Sequence, residues 1–128
     1  MKILVLLVLL IGTFGCATRY QSQNFFGNGY SDIKTNPDSF IVNFKGNVYS
    51  NYDKVMKFAL KRAAQLTLKN GYKYFRIIST IDHSKYTSSD SVFSKEPALS
   101  IHIKCSREKT NEPTEIDAEY FLANNFKR

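Results

Sequence analysis

The stretch Ser50 to Ile81, SNYDKVMKFALKRAAQLTLKNGYKYFRIISTI, changes its apolar period once, at Gly71, and that change decides the fold. Before Gly71, Tyr52, Val55, Met56, Ala59, Leu60, Ala63 and Leu66 recur every three or four residues, the spacing of one helical face. Ser50 with Asp53 reads as a capping box at the start, and the acidic Asp53 suits the positive end of the helix dipole. Gly71 supplies the left-handed residue that commonly ends a helix. Small residues at 59, 63 and 64 allow close approach to a sheet. After Gly71, Tyr72 to Ile81 is aromatic and β-branched and reads as a strand, with Phe75, Ile77 and Ile81 on one face.

Working outward, Ser31 to Thr35 and Ser39 to Lys45 flank Asn36-Pro37-Asp38. Proline fixes φ there and the Asn and Asp side chains bond their own backbone, so the segment reads as a hairpin. Phe40, Val42 and Phe44 alternate with Ile41, Asn43 and Lys45, the period of a half-buried strand. Downstream, the Ser-rich residues 82 to 97 read as a long loop. Leu99, Ile101, Ile103 and Cys105 alternate with polar residues and form the clearest strand. Thr114 with Asp117 suggests a second capping box, with Ile116, Tyr120, Leu122, Ala123 and Phe126 on the apolar side of a terminal helix. The expected fold is α+β: a two-layer β-β-α-β-β-α domain over 30–128, an antiparallel sheet with helices on one face.

The N-terminus has a different logic. Lys2 precedes an apolar run from Ile3 to Ile11, followed by Gly12-Thr13-Phe14-Gly15 and then Cys16. This is the charged, apolar and small-residue order of an export signal, with the cysteine where a lipoprotein signal peptidase cuts. Residues 1–15 are read as a lipoprotein signal peptide and 16–29 as lipidated cysteine and tether. Two other readings compete. A spanning helix needs about 20 apolar residues, more than this run supplies. Ordinary secretory cleavage at Gly15-Cys16-Ala17 would give a secreted soluble protein. Thiol counting separates them, because lipid on Cys16 leaves Cys105 as the single free thiol and excludes an intramolecular disulfide. A buried, inert role is expected for Cys105. Ala17, where Asp would suggest retention in the inner membrane, places the protein on the periplasmic face of the outer membrane by analogy with bacterial lipoprotein sorting.

The chain carries 18 Lys and Arg against 11 Asp and Glu, a net charge of +7. Cleavage before Cys16 would leave 113 of 128 residues and remove only Lys2 among the charged ones, giving +6. That is one domain's length. Such a basic, aromatic-rich exported chain suits anionic lipid, glycan or polymer, and its compartment excludes nucleic acid. Lys54, Lys57, Lys61 and Lys69 line the helix face opposite the apolar one, with Arg62 at the border. The first reading of this stripe is an ordinary solvated face; the alternative sets it against anionic headgroups. Phe25, Phe26 and Tyr30 surround Gly27 and Gly29 and either fold over a core edge or present a surface to a partner.

Several segments together carry a resemblance: Cys16-Ala17-Thr18-Arg19-Tyr20-Gln21, Gly29-Tyr30-Ser31-Asp32, Phe44-Lys45-Gly46-Asn47, Arg62-Ala63-Ala64-Gln65-Leu66-Thr67 and Gly71-Tyr72-Lys73-Tyr74-Phe75. In order and spacing they resemble a family of small proteobacterial lipoproteins without an assigned biochemical role, over about residues 16 to 80. Val48 stands where that pattern has Gly. The resemblance implies lipid attachment and a single periplasmic domain, and it brings no catalytic residues.

No residue set in the sequence compels a reaction. His102 and Cys105 lie three apart on a strand and so point to opposite faces, and His83 is isolated. A tetrahedral metal site needs about four convergent ligands, so neither metal nor cofactor is expected. No G-x-S-x-G elbow or phosphate-binding glycine loop occurs. A non-enzymatic role is therefore expected. The hypotheses that remain are an interaction module presenting Phe25, Phe26, Tyr30 and the basic face to an envelope protein or peptidoglycan, a mainly structural lipoprotein, and a small-ligand binder with a pocket between helix and sheet.

Overall fold

The computed structural model describes residues 19–24, 28–47, 49–89 and 92–126. The order is β1 (Gly29–Asn36), β2 (Ser39–Lys45), α1 (Tyr52–Lys69), β3 (Tyr74–Asp82), β4 (Lys85–Ser89), β5 (Val92–Glu96), β6 (Ala98–Ser106), β7 (Ile116–Asp117) and α2 (Ala118–Asn125). Five strands form an antiparallel sheet in the order β1-β2-β6-β3-β7, with the helices packed against it. The α+β class and the β-β-α-β-β-α frame hold. The segment expected as the loop 82–97 is instead largely a second two-stranded sheet, in which β4 and β5 pair from Lys85↔Glu96 to Ser89↔Val92. His83 N–H donates to the Ala98 carbonyl, so this hairpin continues from the β3–β6 pair. Its serines hid it, because a hairpin projecting from a sheet needs backbone pairing more than an alternating apolar face.

Alternation on the central strand sets the core. Leu99, Ile101 and Ile103 of β6 stand opposite Phe44, Val42 and Phe40 of β2, and all six are buried. Against them α1 buries Val55, Ala59, Ala63, Ala64 and Leu66, with Tyr52, Met56 and Leu60 half-buried at the margins. Fully burying one such large aliphatic side chain contributes about 1.5–3 kcal/mol, so this face is the main attachment of helix to sheet. Thr67 is also fully buried; its hydroxyl donates to the Ala63 carbonyl at 2.8 Å and lies 3.4 Å from the Cys105 sulfur. Burial pushes the Cys105 thiol up, with the Thr67 hydroxyl bond acting in the opposite direction.

Three local expectations are corrected. The N-cap of α1 is Asn51, whose side chain accepts from the Lys54 N–H at 2.7 Å, one residue beyond the expected Ser50. The cap of α2 is Asp117, accepting from the Tyr120 N–H at 3.0 Å, and not Thr114. Starting at Ala118, α2 turns Ala118, Phe121 and Leu122 inward and leaves Tyr120 68% exposed. In β3 the pairing slips between Ile77 and Ser79: Ile77 faces Ile103, but Ile81 faces Ser100. One extra residue reverses every later side chain. Ile81 therefore lies on the face without helices, 56% exposed, rather than beside Phe75 and Ile77. Gly71 ends α1 as expected, at φ +84°.

Candidate functional site

The densest group of polar and aromatic side chains lies where the chain enters the domain. Within the stretch read as a tether, Gln21 to Gln23 run along β1: the Tyr30 N–H donates to the Gln21 carbonyl at 2.7 Å, and the Gln23 N–H donates to the Tyr30 carbonyl at 2.8 Å. This close approach is made at Gly29, at φ +113°, where a Cβ would fall 2.4 Å from the Gln21 oxygen and 2.6 Å from the Ser22 oxygen. Any larger residue would push the two segments apart.

So held, the Tyr20 ring packs against the core in the angle between β1 and the flank of α1, with its centroid 6.5 Å from that of the buried Phe44. It stacks on Tyr30 with centroids 4.9 Å apart and meets Phe58 edge-on at 5.7 Å. Its hydroxyl donates to the Gln65 side-chain oxygen. Burial, reinforced by the neighbouring Tyr30, pushes the Tyr20 phenol up to about 12. Lys61 places its ammonium 4.2 Å from the Tyr20 ring centroid and 4.5 Å from that of Phe126, so rings from both ends of the domain flank one cation. Arg62 lies over Tyr30 at 4.5 Å and donates from Nε to Asp32 Oδ1 at 2.7 Å. Burial works against the guanidinium's charge, yet the Asp32 bond and charge hold it above its ordinary range. These contacts are cation–π and charge-assisted bonds between partly desolvated groups, and they join β1, α1 and the two ends of the domain.

The residues singled out in the sequence are distributed unevenly about this cluster. Tyr30 is in it, half-buried between Tyr20 and Arg62. Lys54, Lys57 and Lys61 lie along it, with Lys54 over Phe58 at 5.7 Å and Lys57 over Phe126 at 5.2 Å. Lys69 is at the far end of α1, in its last turn. Cys16, Phe25 and Phe26 lie outside the described residues. Sequence reading missed Tyr20, Asp32, Phe58, Gln65 and Phe126. One signal was available: Phe58 interrupts the lysine stripe four residues after Lys54 and three before Lys61, and an aromatic there calls for a covering partner.

A second feature is a shallow cleft beside β3 and β6, lined by Arg76, Lys104, Ser106, Thr110, Glu112 and Glu115. The Glu115 carboxylate accepts from the Thr110 N–H at 2.9 Å, the Thr110 hydroxyl at 3.1 Å and the Ser106 hydroxyl at 3.2 Å, so it clasps the 106–115 loop. His102 lies on the uncovered sheet face near Thr35, while Cys105 is in the core. Among the described residues no group of three or more His, Cys, Asp and Glu is placed to hold a metal ion, and no helix is long and apolar enough to cross a membrane.

The fold and this cluster define the class as a two-layer α+β domain whose incoming chain is fastened between its edge strand and its main helix. Comparison with protein-family models, curated proteins and solved structures found no match to the chain.

Proposed function

We propose that this protein is a lipid-anchored component of the bacterial envelope, acylated at Cys16, whose single domain serves as an interaction or structural module on the periplasmic face of the outer membrane. The observation that carries this reading is the order of Lys2, the apolar run Ile3 to Ile11 and Gly15-Cys16-Ala17. Acyl chains on the cysteine contribute about 0.8 kcal/mol per buried CH₂, and more than one chain suffices for stable anchoring. Another envelope protein or peptidoglycan suits the aromatic surface of Phe25, Phe26 and Tyr30, met by binding rather than by catalysis. With Tyr20 fastened only four residues after Cys16, an acylated chain would carry its domain close to the membrane.

Intact-mass analysis of the protein extracted from membranes tests it. The expected mass lacks residues 1–15 and carries a diacylglycerol and an additional acyl chain; Cys16→Ser loses both cleavage and lipid. A native protein that diffuses freely, with an unmodified Cys16 thiol or a start beyond it, refutes the proposal and favours the secreted alternative.

A further inference from the structure

We propose that the outer face of α1, formed by Lys54, Lys57 and Lys61, lies against the phosphate headgroups of an anionic bilayer, with the short span from Cys16 to Tyr20 holding it there. This rests on the anchoring reading and adds an orientation to it.

Reach is the first argument. Four residues from Cys16 to Tyr20 extend at most about 14 Å. Tyr20 is fixed on Phe58, Lys61 and Gln65 of α1 and on the helix-facing side of the edge strand β1 at Tyr30. A helix is about 10 Å across with its side chains, and the sheet lies behind it. From the position of Tyr20 the lipid on Cys16 reaches the basic side of α1, whose Lys61 touches Tyr20 directly, so docking brings this face within one short span of the bilayer.

Charge is the second. In α1 the only acid is Asp53, against Lys54, Lys57, Lys61, Arg62 and Lys69. Asp32 neutralises Arg62. The described structure gives Lys54, Lys57 and Lys61 ring faces but no carboxylate, and rings leave an ammonium its charge. Lys57 is exposed. Phe58 and the part-exposed Leu68 are interleaved with the cations, an apolar and basic mixture suited to a headgroup interface. A bilayer within about 14 Å is less than two screening lengths away at physiological salt, where the length is about 8 Å.

The test places the acylated full-length chain in vesicles of phosphatidylcholine alone or mixed with phosphatidylglycerol. Amines are labelled with a membrane-impermeant acylating reagent and mapped by mass spectrometry. Lys57 and Lys54 should label about fivefold more slowly on the anionic vesicles, a factor typical of one cation near a charged surface. High salt should remove the protection, and the exposed Lys104 on the other sheet face should label equally on both vesicles. The double variant Lys54→Gln, Lys57→Gln should still float with vesicles, while Lys61 loses part of its dependence on anionic lipid. A protein that floats but labels at Lys57 alike on both vesicles, or is protected at Lys104 instead, overturns the orientation and leaves anchoring intact. A chain without lipid on Cys16 that does not float overturns both.

Discussion

Gly29→Ala should damage the domain far more than Gly71→Ala, although both glycines have positive φ. At Gly71 a Cβ meets nothing within 4 Å, so the cost is that of the left-handed backbone, about 1 kcal/mol. At Gly29 the same methyl falls 2.4 to 2.9 Å from backbone atoms of Gln21 and Ser22, which cannot swing aside as a flexible side chain would. Relief requires residues 20–24 to leave β1. Their release forfeits two backbone hydrogen bonds at about 1 kcal/mol each. It also loses the stacking of Tyr20, about 0.5–1.5 kcal/mol per ring pair, and its contact with Lys61, about 0.5–1 kcal/mol. The freed chain regains conformational entropy, which lowers the net cost below the sum of the lost contacts. The net expectation is about 2–4 kcal/mol for Gly29→Ala. Urea denaturation of both variants measures the difference. Ring NMR of Tyr20 reports its origin, since an undocked phenol returns from about 12 toward its ordinary value of 10. Equal stability losses in the two variants, with Tyr20 still titrating near 12, would refute the assigned role of Gly29.

Two further outcomes follow from the same contacts. The Tyr20 phenol binds its proton more tightly folded than unfolded, so its contribution to stability is complete below pH 10 and declines as pH rises from 10 to about 12; Tyr20→Phe should flatten that part of the stability profile, measured by denaturation across the range. Asn51→Ala should cost about 1 kcal/mol by loss of the α1 cap, and Ser50→Ala less than half of that, as read from urea midpoints; the reverse order would restore Ser50 as the cap.

Periodicity made the frame legible. The 3.6-residue spacing from Val55 to Leu66 and the alternation in 40–44 and 99–105 describe elements whose buried faces are set by local geometry, and each occurs as read. Cap positions were less determined, because Ser50 and Asn51 both carry a suitable oxygen and only the backbone path chooses between them. The slip in β3 left no mark in Arg76-Ile77-Ile78-Ser79, where a neighbouring strand decides which residue is the extra one.

From the residues alone come the two-layer class, the ends of α1 to within one position and the export-signal order before Cys16. Only the assembled domain shows that Tyr20 closes over the lysine side of α1 beside Phe126, that Asp32 pairs with Arg62, and that 85–96 pairs with itself. Local pattern reports how each segment divides between water and core. It carries no information on which distant side chain will cover a half-exposed ring or balance a charge, since those contacts exist only after the segments have met.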